Sequence, residues 1–100
     1  MTKFDKLLAQ LDAIKTSRNT SCSDFCKLLR KLGFEIKDCG NAGHKVLIHP
    51  SIPLLENTHF NCGHNAGEAI KAPYITKIHK LVADHEEKIR EYFDEKQNGI

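Results

Sequence analysis

His44 lies where a glycine-containing turn meets an apolar run, in the stretch CGNAGHKVLIHP at 39–50. Histidine changes its charge near neutral pH, because its unperturbed pKa is about 6.5, so it can act as a general acid or a general base. Gly43, immediately before it, can let the backbone approach a phosphate closely. His44 is therefore a candidate catalytic residue, and a solvent-facing strand residue is the alternative that remains open from the residues alone.

A second group of possible ligands, His59, Cys62 and His64, lies within six residues. The fourth ligand of a tetrahedral zinc site would come from Cys39, His44 or His49. The spacing matches no common zinc finger or ribbon, and strand alternation would place His59 and Cys62 on opposite faces of the sheet. We therefore predict no metal site, and we expect Cys62 to fill the core rather than to act as a nucleophile with His64.

Charge is distributed unevenly along the 100 residues. Residues 1–20 hold four basic and two acidic side chains, residues 21–80 hold eight and five, and residues 81–100 hold three and six, so the net charges are +2, +3 and −3. The middle of the chain is mildly basic and the tail is acidic. A surface that contacts phosphates therefore belongs to the middle.

The composition predicts a single globular domain in a reducing compartment. Apolar residues make up 40% of the chain and charged residues 28%, which is ordinary for a globular protein. No apolar stretch reaches the roughly 18 residues that would span a bilayer, so we expect no membrane segment and a cytoplasmic protein. The four cysteines form no CxxC pair, and reduced thiols are expected.

Apolar spacing predicts two helices at the start of the chain. The first covers residues 3–16, with Thr2 and Asp5 as a capping pair. The second begins after Ser21 or Ser23, and its apolar face consists of Phe25, Leu28, Leu29 and Leu32. It ends at Gly33, because glycine accepts the left-handed conformation after a helix, and Phe34 is expected to fold back against it.

The middle of the chain has the pattern of short strands separated by turns. Residues 34–39, 44–49 and 54–62 predict three short strands, and the short connections favour an antiparallel meander. A loop at 63–72 precedes Pro73, which suits the first residue of a helix. The apolar spacing then predicts one long helix to about Glu95.

At this point two stretches of the sequence resemble the HicA family, the small RNA-cleaving toxins of bacterial toxin–antitoxin pairs. They are FCKLLRKLGFEIKDCGNAGHKVLIHP and AIKAPYITKIHKLV, and the resemblance covers about residues 21–83. The shared pattern is a helix ending in Leu-Gly-Phe, a strand, a glycine turn followed by His, an apolar strand ending in His-Pro, and a lysine before the last helix.

The resemblance implies an α+β fold, with a three-stranded antiparallel sheet packed by helices as in double-stranded RNA-binding domains, to which this chain adds an N-terminal helix. It implies cleavage of mRNA without a metal or another cofactor, and a HicB-like antitoxin that covers the active face. By motif, the catalytic histidine is His44 and the lysine before the last helix is Lys71. The family core would lie at 21–83, between a helix and turn at 1–20 and an acidic helical extension at 84–100.

Metal-free cleavage of RNA needs a base for the 2′-hydroxyl proton, an acid for the departing 5′-oxygen, and cations beside the phosphate. His44 can fill a proton-transfer role, and Asp38 is a candidate to orient its ring. The candidate RNA-binding residues are Lys37, Gly43, Lys45 and Lys71. The alternatives are a non-catalytic RNA- or protein-binding module of the same fold and, for His49, a purely structural role.

Overall fold

The computed structural model describes residues 2–17, 19–38, 43–52, 59–62 and 67–97. It confirms an α+β fold in which a three-stranded antiparallel sheet is combined with helices. Among the described residues the elements are α1 Lys3–Thr16, α2 Cys22–Lys31, β1 Glu35–Asp38, β2 His44–Ile48, β3 His59–Asn61, α3 Ala72–Asp84 and α4 Glu86–Gln97.

The strands form the predicted meander in the order β1-β2-β3. Ile36 pairs with Leu47 across β1 and β2, and Lys45 pairs with Phe60 across β2 and β3. The part of the predicted third strand at 54–58 lies outside the described residues. The sheet therefore places the start of β2 beside the end of β3.

Local hydrogen bonds form the helix ends where the sequence predicts them. The Thr2 hydroxyl accepts a hydrogen bond from the Asp5 amide at 3.1 Å, and the Ser21 hydroxyl accepts one from the Asp24 amide at 3.1 Å. Ser21, not Ser23, is thus the cap of α2. Gly33 has a φ of +100°, and the Phe34 amide folds back to donate to the Leu29 carbonyl at 3.1 Å.

The core lies between the helices and one face of the sheet. The rings of Phe25 and Phe60 meet edge to face with centroids 5.9 Å apart, which joins α2 to β3. Phe60 and Cys62 are both buried, as the alternation of the third strand predicts. Of the helices described, none has the length and apolar character needed to cross a membrane.

The prediction of one long final helix is wrong, because the helix breaks at His85. This residue has φ −116° and ψ 18°, and it separates α3 from α4. The apolar spacing continues through the break because Val82 and Ile89 are seven residues apart and are both buried. Glu86 and Glu87 begin the new helix, where acidic side chains are favourable. α3 itself begins at Ala72, one residue before Pro73.

The two ends of the chain pack on each other. The Phe4 and Phe93 rings lie 5.5 Å apart, and the Arg90 guanidinium lies 4.6 Å from the Phe4 ring centre. Arg90 also donates a hydrogen bond to Asp5 at 3.0 Å. Hydrogen bonds from Thr2 and Arg90 lower the pKa of Asp5 below its ordinary value. α1 and α4 thus belong to the same packed unit as the sheet.

Candidate functional site

One face of the sheet is open to solvent, and it carries His44. Leu47 and Phe60 are buried on the opposite face, where α2 packs. Because side chains alternate along a strand, His44, Val46 and Ile48 project from the other face. Ile48 is 38% exposed, which makes it the most exposed large apolar side chain described. The predicted catalytic histidine therefore lies on an accessible surface.

A second histidine, His59, contacts His44 on this open face. The Nε2 atom of His44 lies 2.9 Å from the Nδ1 atom of His59, and the ring centres are 5.1 Å apart. The register of β2 and β3 produces this contact: His44 pairs with Asn61 and Val46 pairs with His59, so the two histidines are diagonal neighbours. His44 is half-buried and His59 is exposed.

This hydrogen bond requires that one imidazole donates a proton and the other accepts it. Two neighbouring imidazoles can thus supply a base and an acid at one position, which is what a proton-transfer site needs. The sequence reasoning considered His59 only as a zinc ligand and missed this pairing. The signal that would have found it is the register of β3 against β2.

Gly43 shapes the entry to the site. Its φ is +81°, a conformation that glycine adopts without strain, and its carbonyl accepts a hydrogen bond from the Cys62 amide at 2.7 Å. This bond fixes the start of β2, and with it His44, against the end of β3. The rest of the predicted turn, at 39–42, lies outside the described residues.

The candidate cations divide between the two faces of the sheet. Lys37 pairs with Val46 and so shares the open face with His44. Lys45 is on the opposite face, and its ammonium group is bound by the Asp38 carboxylate. The hypothesis that Asp38 orients His44 is therefore wrong, because Asp38 pairs across the strands with Lys45 and lies on the face opposite His44. His44 and Lys45 are adjacent in sequence, but they lie on opposite faces because side chains alternate along a strand.

Lys71 is the residue that caps the start of α3, and it is exposed. It lines a groove of about 830 Å³ together with Lys15 of α1. Within the part of the chain that the structure describes, no hydrogen bond or ion pair joins Lys71 to His44. Lys77, within α3, does contact the strand that carries His59. Its ammonium group donates a hydrogen bond to the His59 carbonyl at 2.7 Å. Sequence reasoning missed Lys77 because only the packing of α3 beside β3 reveals it.

His49 has a structural role. It is 1% exposed, and its ring lies between Phe34 and Tyr92, with centroid distances of 4.9 and 5.0 Å. Its Nδ1 atom accepts a hydrogen bond from the Ser51 amide at 3.1 Å, so Nε2 carries the proton and donates to the Leu32 carbonyl at 3.3 Å. Burial lowers the pKa of His49, and the bond to Leu32 opposes this only in part.

We therefore expect the free energy of unfolding to fall as the pH is lowered through 6.5. The unfolded chain binds a proton at His49 with an ordinary pKa of 6.5, whereas the folded state resists protonation until lower pH. Stability from the neutral ring is thus fully present above pH 6.5 and is lost progressively below it. Urea unfolding between pH 7.5 and 5.5 measures this slope. His49→Gln should be less stable at pH 7.5 and should have a shallower slope, and an unchanged slope would contradict the assignment.

The expectation of reduced thiols is wrong for two of the cysteines. Cys22, at the start of α2, and Cys62, just after β3, form a disulfide with Cα atoms 5.4 Å apart. Cys26 is a buried thiol whose pKa is raised by that burial. His59 is exposed on the open face while Cys62 is buried, as strand alternation predicts, and His64 lies outside the described residues.

Comparisons of the chain with protein-family models, with curated proteins and with solved structures find no match.

Proposed function

We propose that this protein is an endoribonuclease of the HicA type, in which His44 and His59 together transfer the protons of RNA cleavage. The observation that carries the proposal is the pair of imidazoles 2.9 Å apart on the open face of the sheet. A lone histidine is weak evidence for a catalytic site. Two histidines in contact on an accessible surface provide both partners of acid–base catalysis.

The reaction needs only groups that this surface holds. One imidazole removes the proton of a ribose 2′-hydroxyl, the 2′-oxygen attacks the adjacent phosphorus, and the bond from phosphorus to the 5′-oxygen breaks. The other imidazole, in its protonated form, gives a proton to that 5′-oxygen. The products are a 2′,3′-cyclic phosphate and a 5′-hydroxyl. The hydrogen bond between the rings opens when the phosphodiester enters, since each ring then faces an oxygen of the substrate.

Charge on the surface supports the same reaction. Lys37 lies on the open face, where its ammonium group is 3.9 Å from the Glu35 carboxylate, and Lys77 brings an ammonium group to the backbone of His59. Cations beside a phosphate stabilise the negative charge that grows in the transition state. Lys45 is less suited to this role because its ammonium group is already bound by Asp38 on the other face of the sheet.

The proposal includes a place of action and a partner. The substrate is mRNA in the cytoplasm, and a HicB-like antitoxin inhibits the enzyme by covering the open face. The exposed Ile48 side chain lies on the same face as the histidine pair, so it gives a partner protein an apolar contact on the face where RNA would bind.

Incubation of the purified protein with a single-stranded transcript in the presence of EDTA tests this function. We expect cleavage to persist in EDTA and to leave 2′,3′-cyclic phosphate ends, because the mechanism uses no metal. Induction of the wild-type protein in bacteria should slow growth and reduce mRNA. A folded protein that releases no product under any of these conditions would refute the nuclease proposal.

A second candidate function, a non-catalytic RNA-binding module, is favoured by a basic groove between α1, α2 and α4. Two clefts of about 240 and 440 Å³ share Lys31 and Phe93. The charged residues described along them are all basic, namely Lys3, Lys6, Arg30, Lys31 and Lys96. Tyr92 and Phe93 add rings on which bases can stack.

This module would retain RNA without forming product, and its affinity would fall steeply as salt is raised. The variant Lys31→Ala should weaken RNA retention and reduce the salt slope if the groove binds RNA. The same variant should leave RNA retention unchanged if RNA binds only to the open face of the sheet. The two candidate functions are thus separated by product formation and by the surface on which RNA depends.

A further inference from the structure

Three cysteine sulfurs lie together beneath the candidate site. The Sγ atoms of Cys22, Cys26 and Cys62 are all within 4.8 Å of one another. These three residues are 1%, 6% and 7% exposed, so the cluster is shielded from solvent. Two of the sulfurs come from neighbouring turns of α2, and the third follows β3. The Cys22–Cys62 disulfide uses two of the sulfurs and leaves Cys26 as an unexplained third member.

Backbone hydrogen bonds position Cys22 and Cys62 independently of the disulfide. The Cys22 amide donates to the Glu68 carbonyl at 2.8 Å, and Ser21 forms a bridge with Ala69. The Cys62 amide donates to the Gly43 carbonyl at 2.7 Å. Reduction of the disulfide leaves these backbone hydrogen bonds in place, together with the Phe25–Phe60 ring contact that joins α2 to β3.

The spacing of the Cys22 and Cys26 sulfurs suits a metal ion, and the Cys62 sulfur can join them once the disulfide is reduced. In a tetrahedral site with metal–sulfur bonds of about 2.3 Å, neighbouring sulfurs are separated by about 3.8 Å. The Sγ atoms of Cys22 and Cys26 are 3.9 Å apart. Thiolates are soft ligands that select zinc and similar thiophilic ions over magnesium or calcium. Three thiolates leave the fourth position of the ion open to another ligand.

We propose that the reduced protein binds one thiophilic metal ion, of the zinc class, through the sulfurs of Cys22, Cys26 and Cys62. The site lies beyond the proposed nuclease chemistry, which uses the open face of the sheet. On binding, the thiols release their protons to solvent and each sulfur donates an electron pair to the ion, so no oxidant or reductant takes part. The ion and the disulfide are alternative links between α2 and β3.

Titration of the reduced protein with Cd²⁺ under anaerobic conditions tests this site. We expect one equivalent of Cd²⁺ to bind, to produce the ultraviolet absorption of cadmium–thiolate bonds and to raise the melting temperature. The variant Cys26→Ser removes one ligand but still permits the Cys22–Cys62 disulfide, so formation of that disulfide on oxidation reports that the variant folds. Its affinity for Cd²⁺ should fall by more than the roughly 10- to 100-fold that loss of an outer-shell partner costs.

The matched control is Cys39→Ser, which replaces the remaining cysteine of the sequence, a residue that is not among the proposed ligands. It should bind one equivalent of Cd²⁺ with wild-type affinity. Equal binding by Cys26→Ser and the wild type, loss of binding in Cys39→Ser alone, or weak uptake that never saturates at one equivalent would each overturn the proposal. None of these readouts depends on RNA cleavage, so the metal site and the nuclease proposal can fail separately.

Discussion

His44→Ala is expected to slow RNA cleavage by about 100- to 10,000-fold while the protein stays folded, because that is the usual contribution of a positioned acid or base. His59→Ala should have an effect of the same order, since the two rings supply opposite halves of one proton transfer. The side chains lie on an open face, so their loss removes no core packing. Cleavage is measured as initial rates on a labelled transcript, and far-ultraviolet circular dichroism checks the fold.

The double variant distinguishes a coupled pair from two independent groups. Residues that act as a unit show strongly non-additive effects, so removal of both rings should cost little more than removal of one. Additive losses would mean that the histidines act on separate steps.

A matched control comes from a third histidine. His79 also makes a side-chain hydrogen bond, 2.6 Å to Asp12, but it joins α3 to α1 rather than facing RNA on the sheet. His79→Ala should therefore cleave RNA at the wild-type rate. Full activity in His44→Ala would remove the histidine pair from the mechanism, and a loss in His79→Ala equal to that in His44→Ala would mean that the assay reports folding instead of chemistry.

Features set by neighbours in the sequence could be predicted. The caps at Thr2 and Ser21, the end of α2 at Gly33 and the open-face position of His44 each depend on a few adjacent residues and a known period. The order of the sheet also followed, because short connections leave an antiparallel meander as the simplest arrangement.

Features set by distant residues could not be predicted. The contact of His44 with His59 spans 15 residues, and the Cys22–Cys62 link spans 40, so both depend on a register and a packing angle that the local pattern does not encode. The break at His85 was not predicted for a related reason. The apolar spacing continues through it, and the change of direction between α3 and α4 follows from the packing of α4 against α1.

The junction where α2 turns into β1 is expected to be the most sensitive backbone position. A Cβ atom at Gly33 would lie 2.8 and 2.9 Å from two ring carbons of Tyr92 and 3.0 Å from the Nε2 atom of His49. Those distances are shorter than van der Waals contact. Tyr92 and His49 pack against each other, so neither ring can move without disturbing the other.

Gly33→Ala should therefore lower the free energy of unfolding by about 3 kcal/mol. The left-handed φ of +100° costs an alanine about 1–2 kcal/mol, and forcing a methyl group into a packed site costs about 1–3 kcal/mol more. Urea unfolding at pH 7.5 measures the loss. The control is Gln10→Ala, at an exposed position of α1, which should change stability by no more than about 0.5 kcal/mol.

A double-mutant cycle with Tyr92→Ala separates the two causes. Removal of the ring relieves the steric contact but leaves the backbone strain, so Gly33→Ala should cost only about 1–2 kcal/mol in that background. The same loss in both backgrounds would mean that the Tyr92 ring does not confine this position. In that case backbone strain at Gly33, and not packing of α4 over His49, would be what makes the glycine necessary.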